Sequence, residues 1–402
     1  MRATRRELIG AGVGGVAGVA LGGAFWGEQF RSAPSGPARR GPGYGPRRPP
    51  DRHGLRLPEG FRARVVARGD EPVAKTGYEW HLASDGMATF PVADGGWILV
   101  SNSETLDGGA SAIRFERDGT IADAYRVLDG TSMNCSGGGT PWGTWLSCEE
   151  HEGGFVWECD PSGRREAVRH RAMGTFKHEA AAVDPAGRRV YLTEDLLDGG
   201  FYRYTPRRWP DLRDGLLEIA TVEPGGRVRW NEVPDPSARA TPTRRQVRGS
   251  AELLRGEGIW HDDGLVYLAT TGDSRVQAYD IRGERIEVVY DGLASRSAPL
   301  LRVDQLTATR AGEVFVCEDI ATEEIDIGLI DRHGRTSRFL SATGPEHAGS
   351  ELTGIAFDPS GGRMYVSSQR AGGSPEKPGP GAICEVSGPF RGSRPRHKGG
   401  VT

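Results

Sequence analysis

The chain has 402 residues, 37% hydrophobic and 26% charged, enough to bury a substantial core in one large domain or two ordinary ones. Its 51 basic and 54 acidic residues give a formal net charge of -3, which excludes a whole-protein field for gripping nucleic acid. Sixty glycines and 26 prolines, with short apolar runs between them, disfavour long helices and predict an all-β fold.

In chain order, residues 1–27 read MRATRRELIGAGVGGVAGVALGGAFWG, with Thr4, Arg5 and Arg6 ahead of an uncharged, Gly-rich apolar stretch from Leu8 to Trp26. This resembles a twin-arginine export signal, with an ordinary signal or an uncleaved anchor as the alternative. It predicts the twin-arginine export machinery as a partner and a periplasmic, cell-surface or secreted location. Cleavage would leave no stable membrane span. Residues 28–54 are rich in Pro, Gly and Arg and are expected to be a flexible linker. A similar tail is expected over 387–402, leaving 55–386 as the folded body. The cysteines are Cys135, Cys148, Cys159, Cys317 and Cys384; the number is odd and the spacing fits no close-spaced zinc pattern, so at least one has no intramolecular disulfide partner.

Within the body, six segments share one shape: a polar residue, a strand, a Gly or Asp turn, then an apolar strand ending in polar or acidic residues. They are DGMATFPVADGGWILVSNSE from Asp85, NCSGGGTPWGTWLSCEE from Asn134, HEAAAVDPAGRRVYLTED from His178, EGIWHDDGLVYLATTGD from Glu257, DQLTATRAGEVFVCED from Asp304 and ELTGIAFDPSGGRMYVSSQR from Glu351. Most recur at the spacing of a four-stranded blade, with a longer gap before Glu257 that predicts an insertion. The expectation is a six-bladed β-propeller behind a flexible N-terminal export segment.

In each hairpin the start of the first strand lies beside the end of the second, and the first strand of each blade lines the axial channel. The polar edges should therefore meet at one mouth. They are Asp85 with Glu104, Cys135 with Glu149 and Glu150, Glu179 with Glu194 and Asp195, Glu257 with Asp273, Asp304 with Glu318 and Asp319, and Glu351 near Gln369 and Arg370. So many carboxylates cannot stay ionised together without cations. Oxygen-rich ligands suit Ca²⁺, and a thiolate among carboxylates suits iron or zinc.

Plainer readings hold for other residues. The Asp-Pro and Asp-Gly pairs are turn chemistry, and Trp142, Trp145 and Trp260 read as blade packing. Cys148 and Cys317 read as small buried hydrophobes, whereas Cys135, beside glycines that admit a close ligand, reads as a metal ligand. Strand alternation sends His178 and Glu179 to opposite faces, and Glu179 is the one taken to face the channel.

The segments NCSGGGTPWGTWLSCEE, GTFKHEAAAVDP, YLTED with GGFYRY, GEGIW, DQLT, VCED and ELTG resemble the PhoX-type alkaline phosphatases over nearly the whole body. The resemblance implies a propeller exported by the twin-arginine route, and a phosphomonoesterase centre holding ferric iron and calcium. It implies Cys135 as the thiolate ligand of iron, with Glu149 or Glu150, Glu179, Glu194, Asp195, Glu257, Glu318 and Asp319 as carboxylate ligands. The first copy reads SNSE where longer members have Asn-His-Glu, and the last reads SSQRA instead of Gln-His-Pro; Glu104 is the acid in the first of these. Lys177, Arg275 and Arg370, next to the expected ligands, are the candidates for neutralising charge on a phosphate ester, the expected small-molecule partner of a monomeric enzyme with no nucleic-acid role. Calcium-dependent ester or lactone hydrolysis and a non-catalytic metal-binding scaffold are the alternatives.

Overall fold

The computed structural model describes residues 43–320, 322–372 and 379–393. The export signal and the first half of the linker lie outside them. Among the described residues no helix is long and apolar enough to cross a membrane.

Among the described residues, twenty-six strands form six antiparallel sheets, the six blades. Their innermost strands are β3 (Ser84–Pro91), β7 (Asn134–Gly139), β11 (His178–Asp184), β16 (Gly256–Asp262), β20 (Val303–Ala308) and β24 (Leu352–Phe357). Each pairs with the next strand in sequence. The third blade carries the insertion anticipated before Glu257: β14 (Asp211–Val222) is long, and β15 (Val228–Glu232) adds a fifth strand.

Six apolar clusters, one at each junction between neighbouring blades, make the core. Blades therefore adhere face to face, while their inner edges are left to the axis. The predicted turns occur where they should: Asp184 and Asp358 accept backbone N–H groups of their own turns. Cys148 and Cys317 are fully buried core residues.

The ring is closed by the N-terminal strands. β1 (Leu55–Arg56) adds an outer strand to the fifth blade, and β2 (Arg62–Arg68) completes the sixth beside Ala382–Ser387. Pairing removes exposed sheet edges. The same closure corrects the expected limits of the flexible segments. Tyr44 is buried among Phe61, Phe339 and Phe390, its hydroxyl donates to Glu313 at 2.7 Å and accepts from Arg391 N, and Arg47 pairs with buried Asp326. Residues 43–54 and 387–393 thus belong to the folded body, because one tyrosine and two arginines supply the anchoring that a Pro/Gly-rich composition hides.

Candidate metal centre

Five inner strands slip register in the same place. Ser84, Asn134, His178, Gly256 and Val303 pair with the ends of their second strands, and regular pairing resumes three residues later. Two residues then face one, a β-bulge, which re-aims side chains. The first bulge residue is Asp85, Cys135, Glu179, Glu257 and Asp304 in turn. In the sixth blade the slip falls one residue later, and Thr353 takes the acid's place, donating to Asp85 at 2.9 Å.

These side chains converge. Asp85, Glu104 and Cys135 offer ligand atoms within 4.8 Å of one another, as do Cys135, Glu150 and Glu179, and again Glu179, Glu257 and Asp304. Cys135 and Glu179 are each shared by two groups, so the three groups form one chain across the axis. The Cys135 thiol donates to Glu179 at 3.5 Å, and the second oxygen of Glu179 is buried without a partner.

Alternation sorts the paired acids of the second strands. The residue opposite the inner strand's start points into its own blade. Glu149 accepts Ser132 N and Phe155 N, Glu318 accepts Leu301 N and Asp326 N, and Glu194 accepts Gly200 N, the Tyr202 hydroxyl and Arg244. All three were expected as ligands, and none belongs to the convergent groups; they fasten backbone at the mouth. The following residue points to the axis instead: Glu104, Glu150, Asp195 and Asp319. In the fourth blade that position is Thr271, while Asp273 is held by Thr270 and Arg275.

Cations cover the mouth. Lys177 lies 2.8 Å from both Glu150 and Asp195. Arg370 pairs with Glu104 and with Glu351. Arg275 does not join them: it is bound to Asp273 and Asp291 in the third strand of its blade. Its expected place is filled by Arg255, which pairs with Asp195, Glu257 and Asp319, and by Arg302, 2.7 Å from Asp319. Both were missed, although the sequence carries a sign: Lys177-His178-Glu179, Arg255-Gly256-Glu257 and Arg302-Val303-Asp304 share a cation two residues before the bulge acid. Arg255 and Arg302 adopt positive φ, 59° and 48°, a strained conformation for a long side chain that is tolerated most often at functional sites.

The electrostatics divide into two rows. Burial opposes ionisation of Asp195, but hydrogen bonds and charge from Arg255 and Lys177 bring its pKa down to about 2. Burial likewise opposes ionisation of Asp319, and Arg302 overcomes it. Deeper in, burial wins. It pushes Asp85 up to about 7, with Glu104 adding to the effect, and Glu150 up to about 8. Glu179, Glu257, Asp304 and Glu351 rise well above the carboxylate range through burial and one another's charge. The Cys135 thiol is raised for the same reasons. Four cations therefore face nine carboxyls, most of which can ionise only if another cation replaces their protons; that, the orphaned Glu179 oxygen and the mixed thiol and carboxylate donor set all fit bound metal.

An axial funnel of acids and one thiol defines a class of propeller suited to binding cations. A sequence comparison adds to this: the profile of the alkaline phosphatase PhoX family matches residues 106–153 and 151–290. Among solved structures, it is similar to Pseudomonas fluorescens PhoX in complex with vanadate, a transition-state analogue, at 18% identity and a TM-score of 0.71, over 88% of this chain and 99% of that one. A Bacteroides thetaiotaomicron protein of unknown function is similar at 12% identity and a TM-score of 0.51, over 85% of this chain and 83% of that one. These likenesses show the six-bladed fold. No curated protein sequence matches the chain.

Proposed function

We infer that the chain is a metal-dependent phosphomonoesterase of the PhoX type, exported and acting on small phosphate esters. The observation that carries this reading is the chain of three ligand groups sharing Cys135 and Glu179, in a protein whose residues 106–153 and 151–290 match the PhoX profile. Cys135 and the carboxylates around it would hold iron, and the all-oxygen group of Glu179, Glu257 and Asp304 suits calcium. When bound, such ions polarise phosphoryl oxygens and activate the attacking oxygen nucleophile.

The chain's own residues supply the rest. Lys177, Arg255, Arg302 and Arg370 are partly exposed, while Glu150, Asp195 and Glu257 beneath them are buried or nearly so. A phosphate dianion therefore meets positive charge first. The same groups stand ready to neutralise charge that develops on its outer oxygens. Tight strand packing beneath the bulges confines approach to the mouth. The twin-arginine route, a monomeric state and a periplasmic, surface or secreted location complete the proposal, supported by the first 27 residues and by the match to the PhoX profile.

Metal analysis of protein purified from its native export route, together with assay on a panel of phosphate monoesters, tests the reading. Iron with calcium, hydrolysis, and inhibition by inorganic phosphate are expected. A fully metallated protein that cleaves none of the esters would remove the phosphatase assignment and leave a metal-binding propeller. Cys135→Ser should lower iron content and activity with little loss of fold, since a hydroxyl is a far poorer ligand than a thiolate. Cys148→Ser, in the core, should spare the metal.

A further inference from the structure

The mouth is charged at the axis, but its rim is not. After the axial acid, each of the first three blades makes the same four-residue turn: Gly108 N donates to Thr105 O at 2.9 Å, Gly154 N to His151 O at 2.8 Å and Gly199 N to Leu196 O at 2.9 Å. The first tip residue is therefore equivalent in all three. It is Leu106 in the first blade, Glu152 in the second and Leu197 in the third. Polar residues are usual at such tips, yet Leu106 and Leu197 are 82% and 68% exposed, more than any other large apolar side chain among the described residues. Neither contributes buried area to the fold.

On one side of the mouth the backbone ties exposed leucines to the cations. Arg255 N donates to Leu196 O at 2.9 Å and Leu253 N to Gly199 O at 2.8 Å, which lays Leu253, Leu254 and Arg255 antiparallel against the Leu197 turn. Leu254, also exposed, thus neighbours both Leu197 and Arg255. Ser274 makes a second junction: its hydroxyl accepts Arg302 N at 2.8 Å, and its carbonyl accepts Gly292 N at 2.9 Å, one residue before exposed Leu293. Arg255 and Arg302 each have leucine anchored beside them. Lys177 does not, because its partner Glu150 leads into the turn that carries His151 and Glu152.

Exposed apolar residues away from the mouth have no such setting. Leu216 lies on β14 opposite Thr205, towards the far end of its blade. At the far end of the channel, Trp260 edges a cavity of about 680 Å³ and is 38% exposed, not the blade packing that the sequence suggested. Trp142, edge-on to Trp209, and buried Trp145 do pack in that way.

We propose that Leu197, Leu254 and Leu293 seat the alcohol portion of the substrate, so that the preferred esters are phosphate monoesters of uncharged, apolar alcohols. This rests on the phosphatase reading and names its substrate class. A phosphate held by Arg255 and Arg302 leaves its ester substituent at the rim, where the leucines remove apolar surface from water. The contact is the same before and during reaction, so it acts on KM and not on kcat.

Ethyl phosphate and hexyl phosphate test this, since their leaving alcohols are similarly basic and differ in apolar length. Metal-loaded protein should hydrolyse hexyl phosphate with a KM about tenfold lower and a similar kcat. Leu197→Asn combined with Leu254→Asn should raise the hexyl phosphate KM about five- to tenfold, and the fold should tolerate both changes because both sites are exposed. Leu216→Asn should change neither ester. Calorimetric titration with hexylphosphonate and ethylphosphonate, which are not hydrolysed, should show the same preference and the same loss. Equal KM values, or a hexyl preference that survives the double variant, would overturn the proposal. So would a dimer that the double variant splits with both KM values unchanged, which would assign the leucines to a contact between copies. Hydrolysis of neither ester would count against the phosphatase reading instead, and leucine-dependent binding of hexylphosphonate would then still support the apolar seat.

Discussion

The two ends of one channel are built from the same six strands and do opposite things with them. At the mouth, bulges turn Asp85, Cys135, Glu179, Glu257 and Asp304 into one another's company, and the result is a set of acids that must either keep their protons or bind cations. A few residues further along the same strands, regular pairing resumes and Phe90, Leu306 and Phe357 line a cavity. The comparison shows what a bulge accomplishes here. It changes the chemistry of the channel without changing the blade, so the mouth can carry repulsion while the inter-blade clusters keep the ring together.

The largest expected effect comes from the residue shared by two ligand groups. Glu179→Gln keeps the volume, removes the charge and weakens both groups at once. Ester hydrolysis should fall about a hundredfold or more, with a much smaller change in melting temperature. A variant that retains its rate and its metals would show that the mouth is organised around other residues.

Removing the metals should reverse the pH dependence of the mouth and leave the far end indifferent. In metal-free protein, burial and neighbouring acids raise Asp85 to about 7 and Glu150 to about 8, against about 4 for unfolded carboxyls. Between those limits the folded chain holds more protons than the unfolded one, so its stability is full below about pH 4 and declines as the pH rises towards about 8. Chelated protein should therefore melt several degrees lower at about pH 9 than at about pH 5, while loaded protein should not show that loss. Metal affinity should rise with pH over the same window, as bound ions displace protons. Chelated protein that gained stability as the pH rose would contradict the buried, mutually repelling carboxylates.

A smaller contrast separates neighbours at the mouth. Asp195→Asn should disturb Lys177 and Arg255 and so metal content and substrate affinity. Glu194→Gln should leave the metals in place and cost about 2 kcal/mol of stability, since Glu194 is fully buried and holds Arg244, the Tyr202 hydroxyl and Gly200 N. Metal analysis and denaturant titration of the two variants would distinguish these roles, and interchanged results would refute the assignment by alternation.

These pairs also mark how far the sequence can be read. Six repeats with acidic edges are visible in it, and hairpin geometry is enough to bring those edges to one mouth. Which acid of Cys148-Glu149-Glu150 or Thr193-Glu194-Asp195 faces inward depends on strand phase, which a doubled acid conceals; only the backbone groups waiting for Glu149 and Glu194 decide it. Arg255 was hidden in a different way. It stands beside a glycine in a stretch without strand character, whereas Arg275, in a clear strand, looked the better candidate and proved to belong to its own blade. The bulges carry no composition signal stronger than a small residue after the acid. The cavity at the far end carries none, because the apolar and polar strand residues that line it are of the same kinds as those elsewhere in the blades.

The three glycines from Gly137 to Gly139 give the finest test, because they cross from one regime to the other. At Gly137 and Gly138 a Cβ would lie 1.9 Å from the carbonyl oxygens of Leu146 and Ala181, so alanine at either must displace backbone and should cost about 1–3 kcal/mol. At Gly139 the nearest atom would be 3.6 Å away. No positive φ is recorded there, so alanine fits without strain and restricts the unfolded chain. Gly139→Ala should therefore be neutral or stabilise by up to about 1 kcal/mol, a rise of roughly 2 °C at most in a domain of this size. Thermal unfolding of the three alanine variants would locate the constriction between the mouth and the cavity at the far end. A loss at Gly139 as large as at Gly138 would mean that the crowding continues past the bulges.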